Sequence, residues 1–194
     1  MAQRRRPALM LSNHLQEKGL HWAIQALLGA LLLGGLGPVV IDMEGTLPLS
    51  LQSLMVCWIP IMIGWRAGLT TVLLYLLGGV AGLPLFADGR HGMEVLAGPT
   101  GGYLLGFPIV AFLLGYAGDM AKALPLRSQY AVALGGMLVG HMLILAFGIP
   151  WQMQFNPNLD PMNLLERLAR PVALKSAIGL LLSVVVLRGA QGRA

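Results

Sequence analysis

The sequence predicts an all-α polytopic membrane protein with six transmembrane helices and both termini in the cytoplasm. Of the 194 residues, 56% are hydrophobic and 11% are charged, whereas a soluble domain has about 25% charged residues. The mean hydropathy is +0.72. The apolar residues are gathered into six stretches, and the basic residues are concentrated on one side of the topology that these stretches define.

A transmembrane helix needs about 20 mostly apolar residues, and six stretches meet or approach this length. They span residues 20–41, 51–65, 67–86, 101–118, 130–150 and 171–187. Only the turn at Trp65 and Arg66 separates the short second stretch from the third, which indicates a tight helical hairpin. No A-x-A cleavage site follows the first stretch, so we expect it to remain as a span. We expect residues 1–194 to form a single integral membrane domain.

The charged residues support this topology. Nine of the thirteen Lys and Arg residues and two of the eight acidic residues fall on the side of the termini, against four and six on the other side. The net charges are therefore +7 and −2, and the positive-inside rule places both termini in the cytoplasm. The two longest loops, 87–100 and 151–170, then lie outside. Residues 162–170 are amphipathic, so we expect a short surface helix there.

The segment 82–107 is rich in glycine and proline, although apolar stretches flank it on both sides. Such a break is tolerated only at the membrane surface or where it lines a cavity, because unpaired backbone groups are costly in lipid. Thr100 is placed to cap the fourth helix, Gly101 and Gly102 would let ligand atoms approach the backbone, and Tyr103 offers a ring and a hydroxyl. An ordinary loop-to-helix junction explains this pattern equally well.

Two polar side chains within the predicted spans are candidates for ligand binding. Pro171 suits the first position of the sixth helix, and Lys175 follows four residues later. The Cα of Lys175 would therefore lie about 6–7 Å below the helix start. An intramembrane charge marks function by default, and a ligand carboxylate would be its partner. The alternative is that Lys175 reaches the outer surface. Gln52, after a possible cap at Ser50, would bond a ligand amide or a neighbouring helix.

The remaining features are weaker. Ala26, Ala30 and Gly34 follow a small-xxx-small pattern that serves internal packing or a partner subunit. Cys57 and His141 are the only plausible nucleophile–base pair, without an evident third group, and no ligands are spaced to form a metal site. We therefore expect no enzymatic activity. The sequence has no ATP-binding P-loop, so any ATP used would be consumed by other subunits.

Residues 47–118 resemble the BioY family, the substrate-binding membrane subunits of biotin uptake systems. The matching segments occur in order and at family-like spacing: PLSLQ (48–52), GWRAG (64–68), LLYL (73–76), GLPLFA (82–87) and GPTGGYLLGF (98–107). The last two are specific. The resemblance implies a six-helix S component of an energy-coupling-factor transporter that captures biotin from the extracytoplasmic side of the cell (inner) membrane without converting it.

The resemblance also implies a binding site and partners. The ligand-binding candidates that it suggests are Gln52, Phe86, Gly101, Gly102, Tyr103 and Lys175. The implied partners are a membrane coupling subunit, which would dock partly on Ala26, Ala30 and Gly34, and a pair of cytoplasmic ATPases. The chain itself would need no cofactor and no metal, and it would not bind nucleic acid.

The chain departs from the family pattern at position 172. Where the family usually has an Asp three residues before the lysine of the sixth helix, this chain has Val172. The Asp looks suited to accept hydrogen bonds from ureido N–H groups, which valine cannot do. Either Asp88, Asp160 or a backbone carbonyl replaces it, or affinity is weaker, or the fold binds a different small vitamin or carboxylate.

Overall fold

The structure is a computed structural model that describes residues 7–42 and 49–191. In this part of the chain there are seven helices and one short strand pair: α1 (Pro7–Leu36), β1 (Val40–Ile41), β2 (Leu49–Ser50), α2 (Leu51–Ile63), α3 (Trp65–Val80), α4 (Met93–Ala97), α5 (Gly101–Ala121), α6 (Leu126–Met153) and α7 (Pro161–Gln191). The prediction of an all-α protein is confirmed. Five of the charged residues counted above lie outside the described residues, namely Arg4, Arg5, Arg6, Glu44 and Arg193, and so do Leu47 and Pro48 of the BioY-like segment.

Local signals set the ends of α2. The Ser50 hydroxyl accepts a hydrogen bond of 3.2 Å from the backbone N–H of Gln52, so Ser50 caps the helix as predicted. The helix ends at Gly64, which has a φ of +89° that favours glycine. The α2–α3 hairpin is therefore present. Asp119 at the end of α5 holds the start of α3, since its Oδ2 accepts a 3.0 Å hydrogen bond from the N–H of Trp65.

The first and third helices end earlier than predicted. The first stretch is apolar as far as residue 41, but α1 ends at Leu36, and β1 pairs antiparallel with β2 instead. The third stretch is apolar as far as residue 86, but α3 ends at Val80. Gly82 has a φ of +106°, which is incompatible with a continuing helix. Apolar composition alone therefore overestimated the length of both helices.

The predicted start of the sixth helix at Pro171 is wrong. Helix α7 runs from Pro161 to Gln191, so Pro171 lies inside it and residues 162–170 are its first turns rather than a separate surface helix. A proline inside a helix is tolerated in a membrane protein because neighbouring elements satisfy the freed backbone group. Lys175 consequently lies 14 residues from the helix start, about 21 Å along the axis instead of 6–7 Å.

Among the described residues, three helices are long and apolar enough to cross a membrane: α5, α6 and α7. Residues 20–36 of α1, together with α2 and α3, are shorter apolar helices. The 13 residues of α2 span about 20 Å, which is less than the about 30 Å hydrocarbon core of a bilayer.

Glycine residues bring three helices into close contact at the end of the bundle where α2 turns into α3. Gly118 of α5 lies against the backbone of Ile61 in α2, and Gly115 lies against the backbone of Trp65. A Cβ atom at either position would collide with these main-chain atoms, so the helices could not approach as closely with larger residues. At this end of the bundle, which we call the closed end, α2, α3 and α5 are in direct backbone contact.

Candidate functional site

A cavity of about 340 Å³ lies at the opposite end of the bundle. Its wall is formed by the start of α2, the segment before α4, the start of α5, and the middle of α6 and α7. Ten lining residues are apolar and nine are polar or charged: Val40, Phe86, Ala87, Val95, Leu104, Phe107, Ile144, Leu145, Leu168 and Val172, with Ser50, Gln52, Ser53, Asp88, Arg90, Thr100, Tyr103, His141 and Lys175. A mostly apolar cleft with a few polar groups is typical of a small-molecule site.

Lys175 lines this cavity from α7. It is 6% exposed and is the only charged residue among the buried ones that the structure describes. Its ammonium group donates a 2.9 Å hydrogen bond to the Ser53 hydroxyl of α2, which is a neutral partner. A buried ammonium without an opposite charge is unfavourable unless an anion joins it. The predicted alternative, in which Lys175 reaches the outer surface, does not agree with this geometry.

Gln52 also lines the cavity, two residues after the Ser50 cap. Its side chain is buried, and its Nε2 has no hydrogen-bond partner among residues 7–42 and 49–191. The side chain of Gln52 lies close to the Tyr75 hydroxyl of α3, so a bond to a neighbouring helix, the alternative reading of this residue, stays open. A buried amide donor without a partner costs free energy, and a ligand acceptor would satisfy it.

Phe86 forms part of the apolar wall. It is 1% exposed, its ring meets Tyr75 edge to face with 5.7 Å between centroids, and it packs against Gly79 of α3. The backbone around it is anchored, since the Phe86 N–H donates to the Arg90 carbonyl at 3.0 Å. The glycine-rich segment therefore lines a cavity, as the sequence predicted, and Phe86 is its buried aromatic residue.

The start of α5 contributes Thr100 and Tyr103 to the cavity. The Tyr103 hydroxyl donates a 2.7 Å hydrogen bond to Oε1 of Gln152 in α6, and its ring packs on Gly148. Thr100 occupies the cap position, but its side chain makes no capping hydrogen bond, so the prediction that it caps α5 by its hydroxyl is wrong. Gly98 is extended, as expected before Pro99.

Gly101 and Gly102 do not line the cavity, contrary to the geometry that the sequence suggested. Gly102 is buried against α6, where a Cβ atom would collide with Trp151 and with the carbonyl of Phe147, and Gly101 is buried against α4, where a Cβ atom would collide with the carbonyl of Leu96. Their lack of a side chain permits close helix packing rather than an open approach for ligand atoms. The indole N–H of Trp151 fixes this junction, because it donates a 2.9 Å hydrogen bond to the Gly98 carbonyl.

The small residues of α1 pack mainly inside the protein. Ala26 is buried, and its carbonyl accepts a 3.1 Å hydrogen bond from the Thr71 hydroxyl of α3. Gly34 faces Leu85, and Ala30 is half-buried. Of the two open alternatives for this pattern, internal packing accounts for Ala26, so Ala26 cannot contact a partner in this arrangement.

Sequence reasoning missed several residues of the cavity wall, among which Ser53, Arg90 and His141 are polar. Nδ1 of His141 is 2.7 Å from the Met137 carbonyl, as in a hydrogen-bonded core histidine, but the residue also lines the cavity. Asp88 has a φ of +60°, a turn conformation that no spacing rule indicates. Of the acceptors considered for the missing Asp, Asp88 lies on the cavity wall and Asp160 does not.

Cys57 and His141 do not form a shared site in the cavity. Cys57 is fully buried between helices and does not line the cavity, whereas His141 does. Within the described ranges, no group of three His, Cys, Asp or Glu residues could hold a metal ion.

The fold and the cavity together define a helical membrane protein with a small-molecule site near one end of its bundle. The profile of the BioY family matches residues 10–193. The chain therefore belongs to the BioY family.

Individual relatives agree with this assignment. The chain is 35% identical over 133 residues to biotin transporter BioY2 of Lactococcus lactis subsp. cremoris, which covers 69% of each chain. It is 35% identical over 105 residues to biotin transporter BioY of Thermotoga maritima, covering 54% of this chain and 59% of that relative. The fold is similar to the crystal structure of the S-component for biotin from an ECF-type ABC transporter, with a TM-score of 0.70, 20% identity and 94% coverage of both chains.

Proposed function

We propose that this chain is the substrate-binding membrane subunit of a biotin uptake transporter and that it captures biotin from the extracytoplasmic side. The observation that carries the proposal is the buried ammonium group of Lys175 on the cavity wall, hydrogen-bonded only to the neutral Ser53 within the described residues. Relatives named biotin transporters supply the identity of the ligand. No relative named above favours a different vitamin, so no second ligand is proposed.

The cavity matches the chemistry of biotin, which combines a carboxylate, an apolar ring and chain, and a ureido group with both donors and an acceptor. The volume of about 340 Å³ falls in the usual range of small-ligand pockets. Phe86 and Phe107 provide apolar surface for the ring and chain. Lys175 would pair with the carboxylate, and Nε2 of Gln52 would donate to a ligand oxygen. Capture of this kind breaks no bond and requires no catalytic group or cofactor.

A binding titration tests the proposal. Detergent-purified protein is titrated with biotin, with desthiobiotin as a close analogue and thiamine as an unrelated vitamin, and heat of binding is measured. We expect saturable biotin binding at micromolar concentration or below, weaker or equal binding of desthiobiotin, and no binding of thiamine. Absence of biotin binding in this range would remove the biotin assignment, although the family membership would stand.

We further propose that the chain forms one integral domain of the cell (inner) membrane with six spans and cytoplasmic termini. This topology puts Arg90 outside and Lys122 inside. In a Cys57→Ser background, single cysteines at these two positions are treated in intact cells with a membrane-impermeant maleimide. Both residues are exposed, so access depends on sidedness alone. We expect labelling at position 90 only; labelling at both or only at 122 would contradict the topology.

The proposed partners are a membrane coupling subunit and a pair of cytoplasmic ATPases, which would supply the energy for uptake. The structural support is the similarity in fold to an S-component. Ala26 is buried against α3 and cannot take part in docking. The docking surface on α1 would therefore consist of Ala30, Gly34 and the exposed apolar residues beside them, such as Leu27 and Leu31. Copurification of tagged protein with the coupling subunit, compared between wild type and Ala30→Trp, tests this surface.

A further inference from the structure

The second ring nitrogen of His141 is a buried polar atom on the cavity wall that the proposed function does not use. His141 lies on α6, is 2% exposed and lines the cavity. Its Nδ1 is 2.7 Å from the carbonyl oxygen of Met137, which can only accept, so Nδ1 carries the proton. In the neutral ring this leaves Nε2 as a bare acceptor. Nε2 is buried and has no hydrogen-bond partner among the described residues.

The buried wall of the cavity carries two nitrogen donors. Lys175 offers an ammonium group and Gln52 offers an unpartnered amide N–H₂. Val172, one turn before Lys175, is buried on the same wall and contributes no polar atom. The carboxylate of Asp88 lies on an exposed residue at the mouth. A ligand N–H group that is buried beside these residues loses free energy unless an acceptor meets it, and Nε2 of His141 is a buried acceptor without a partner among the described residues.

We propose that Nε2 of His141 accepts a hydrogen bond from one ureido N–H group of the ligand. In this chain His141 thereby supplies an acceptor that position 172 cannot provide, and it makes recognition of the ureido group depend on α6 as well as α7. The proposal rests on the proposed function, because it assumes a ligand with N–H donors. The competing possibility is structural: the ammonium of Lys175 could rotate toward Nε2, and His141 would then act only by positioning Lys175.

Two substitutions separate the ring nitrogens. The side-chain amide of Asn occupies roughly the place of Nδ1, whereas that of Gln reaches roughly as far as Nε2. His141→Asn therefore keeps a donor for the Met137 carbonyl and removes the acceptor, while His141→Gln can present an amide oxygen near the original acceptor. Thermal unfolding of both variants without ligand reports whether they fold like the wild type.

Binding is measured with biotin and with its two lactam analogues, in each of which one ureido N–H is replaced by CH₂. We expect His141→Asn to weaken biotin binding by about 5- to 150-fold, as for a buried donor left without a partner, and His141→Gln to weaken it less. The wild type should bind one of the two lactams more weakly than biotin by a similar factor. His141→Asn should not weaken the binding of that lactam further. If His141 only positioned Lys175, the substitution would weaken the binding of both lactams as much as that of biotin.

Two results would overturn the inference: unchanged biotin affinity in His141→Asn, or the same loss for biotin and for both lactams, which would indicate the structural role. A wild type that does not bind biotin at all would instead refute the proposed function, and this inference with it.

Discussion

Replacing Lys175 by methionine tests the charge at the centre of the proposed site. The substitution keeps an unbranched side chain of similar length but removes the ammonium group and its 2.9 Å hydrogen bond to Ser53. A hydrogen bond to a charged group contributes about 1.5–3 kcal/mol, so the dissociation constant for biotin should rise about 10- to 150-fold. The assay is calorimetric titration of purified protein.

The effect on stability should have the opposite sign to the effect on affinity. Lys175 is 6% exposed and has no acidic partner among the residues that the structure describes. Removing a buried charge that lacks a counter-charge relieves its desolvation cost. The thermal midpoint of ligand-free Lys175→Met should therefore equal or exceed that of the wild type, which separates loss of binding from loss of folding.

Biotin methyl ester identifies the group that Lys175 meets. If the ammonium pairs with the carboxylate, the ester should bind the wild type more weakly than biotin does, and Lys175→Met should not weaken ester binding further. Lys122→Met is the matched control, since Lys122 pairs with Asp119 at the closed end and lies away from the cavity. Unchanged biotin affinity in Lys175→Met would refute the reasoning, and an equal loss for acid and ester would refute the carboxylate as partner.

Two further predictions concern the cavity wall. Gly79→Ala should lower the thermal midpoint and weaken biotin binding, because the new methyl group collides with the ring of Phe86. The expected cost in stability is about 1–3 kcal/mol. Gly35→Ala is the control: its methyl group meets open space, so this substitution should be neutral or slightly stabilising. Tyr103→Phe removes the 2.7 Å hydrogen bond to Gln152 and should lower stability by about 0.5–1.5 kcal/mol, measured by thermal unfolding; an unchanged midpoint would show that this bond does not stabilise the junction of α5 and α6.

Local sequence signals predicted the helix starts well where a few adjacent residues decide them. Ser50 before Leu51 is such a case, because the capping hydrogen bond joins residues two apart. The wrong helix start at Pro171 has the same origin: taken locally, proline favours a helix start, but α7 packs against its neighbours and continues through this residue. The sequence pattern contains no information on that packing.

The cavity residues divide in the same way. Gln52, Phe86, Tyr103 and Lys175 were predicted, and the structure brings all four to one cavity. Gly101 and Gly102 were placed wrongly, because a glycine pair looks the same in sequence whether a ligand or a neighbouring helix approaches it. His141 was undervalued, since its isolation along the chain gives no hint that α6 carries it to the wall formed by α2 and α7.

The backbone contacts at the closed end have a consequence for the path of the ligand. Gly115 and Gly118 hold α5 against the α2–α3 turn without intervening side chains, so these helices leave no gap between them for a ligand at the closed end. A ligand in the cavity would therefore have to leave by the side from which it entered or between other helices. Delivery to the other side of a membrane would then require a movement of the helices or of the whole protein.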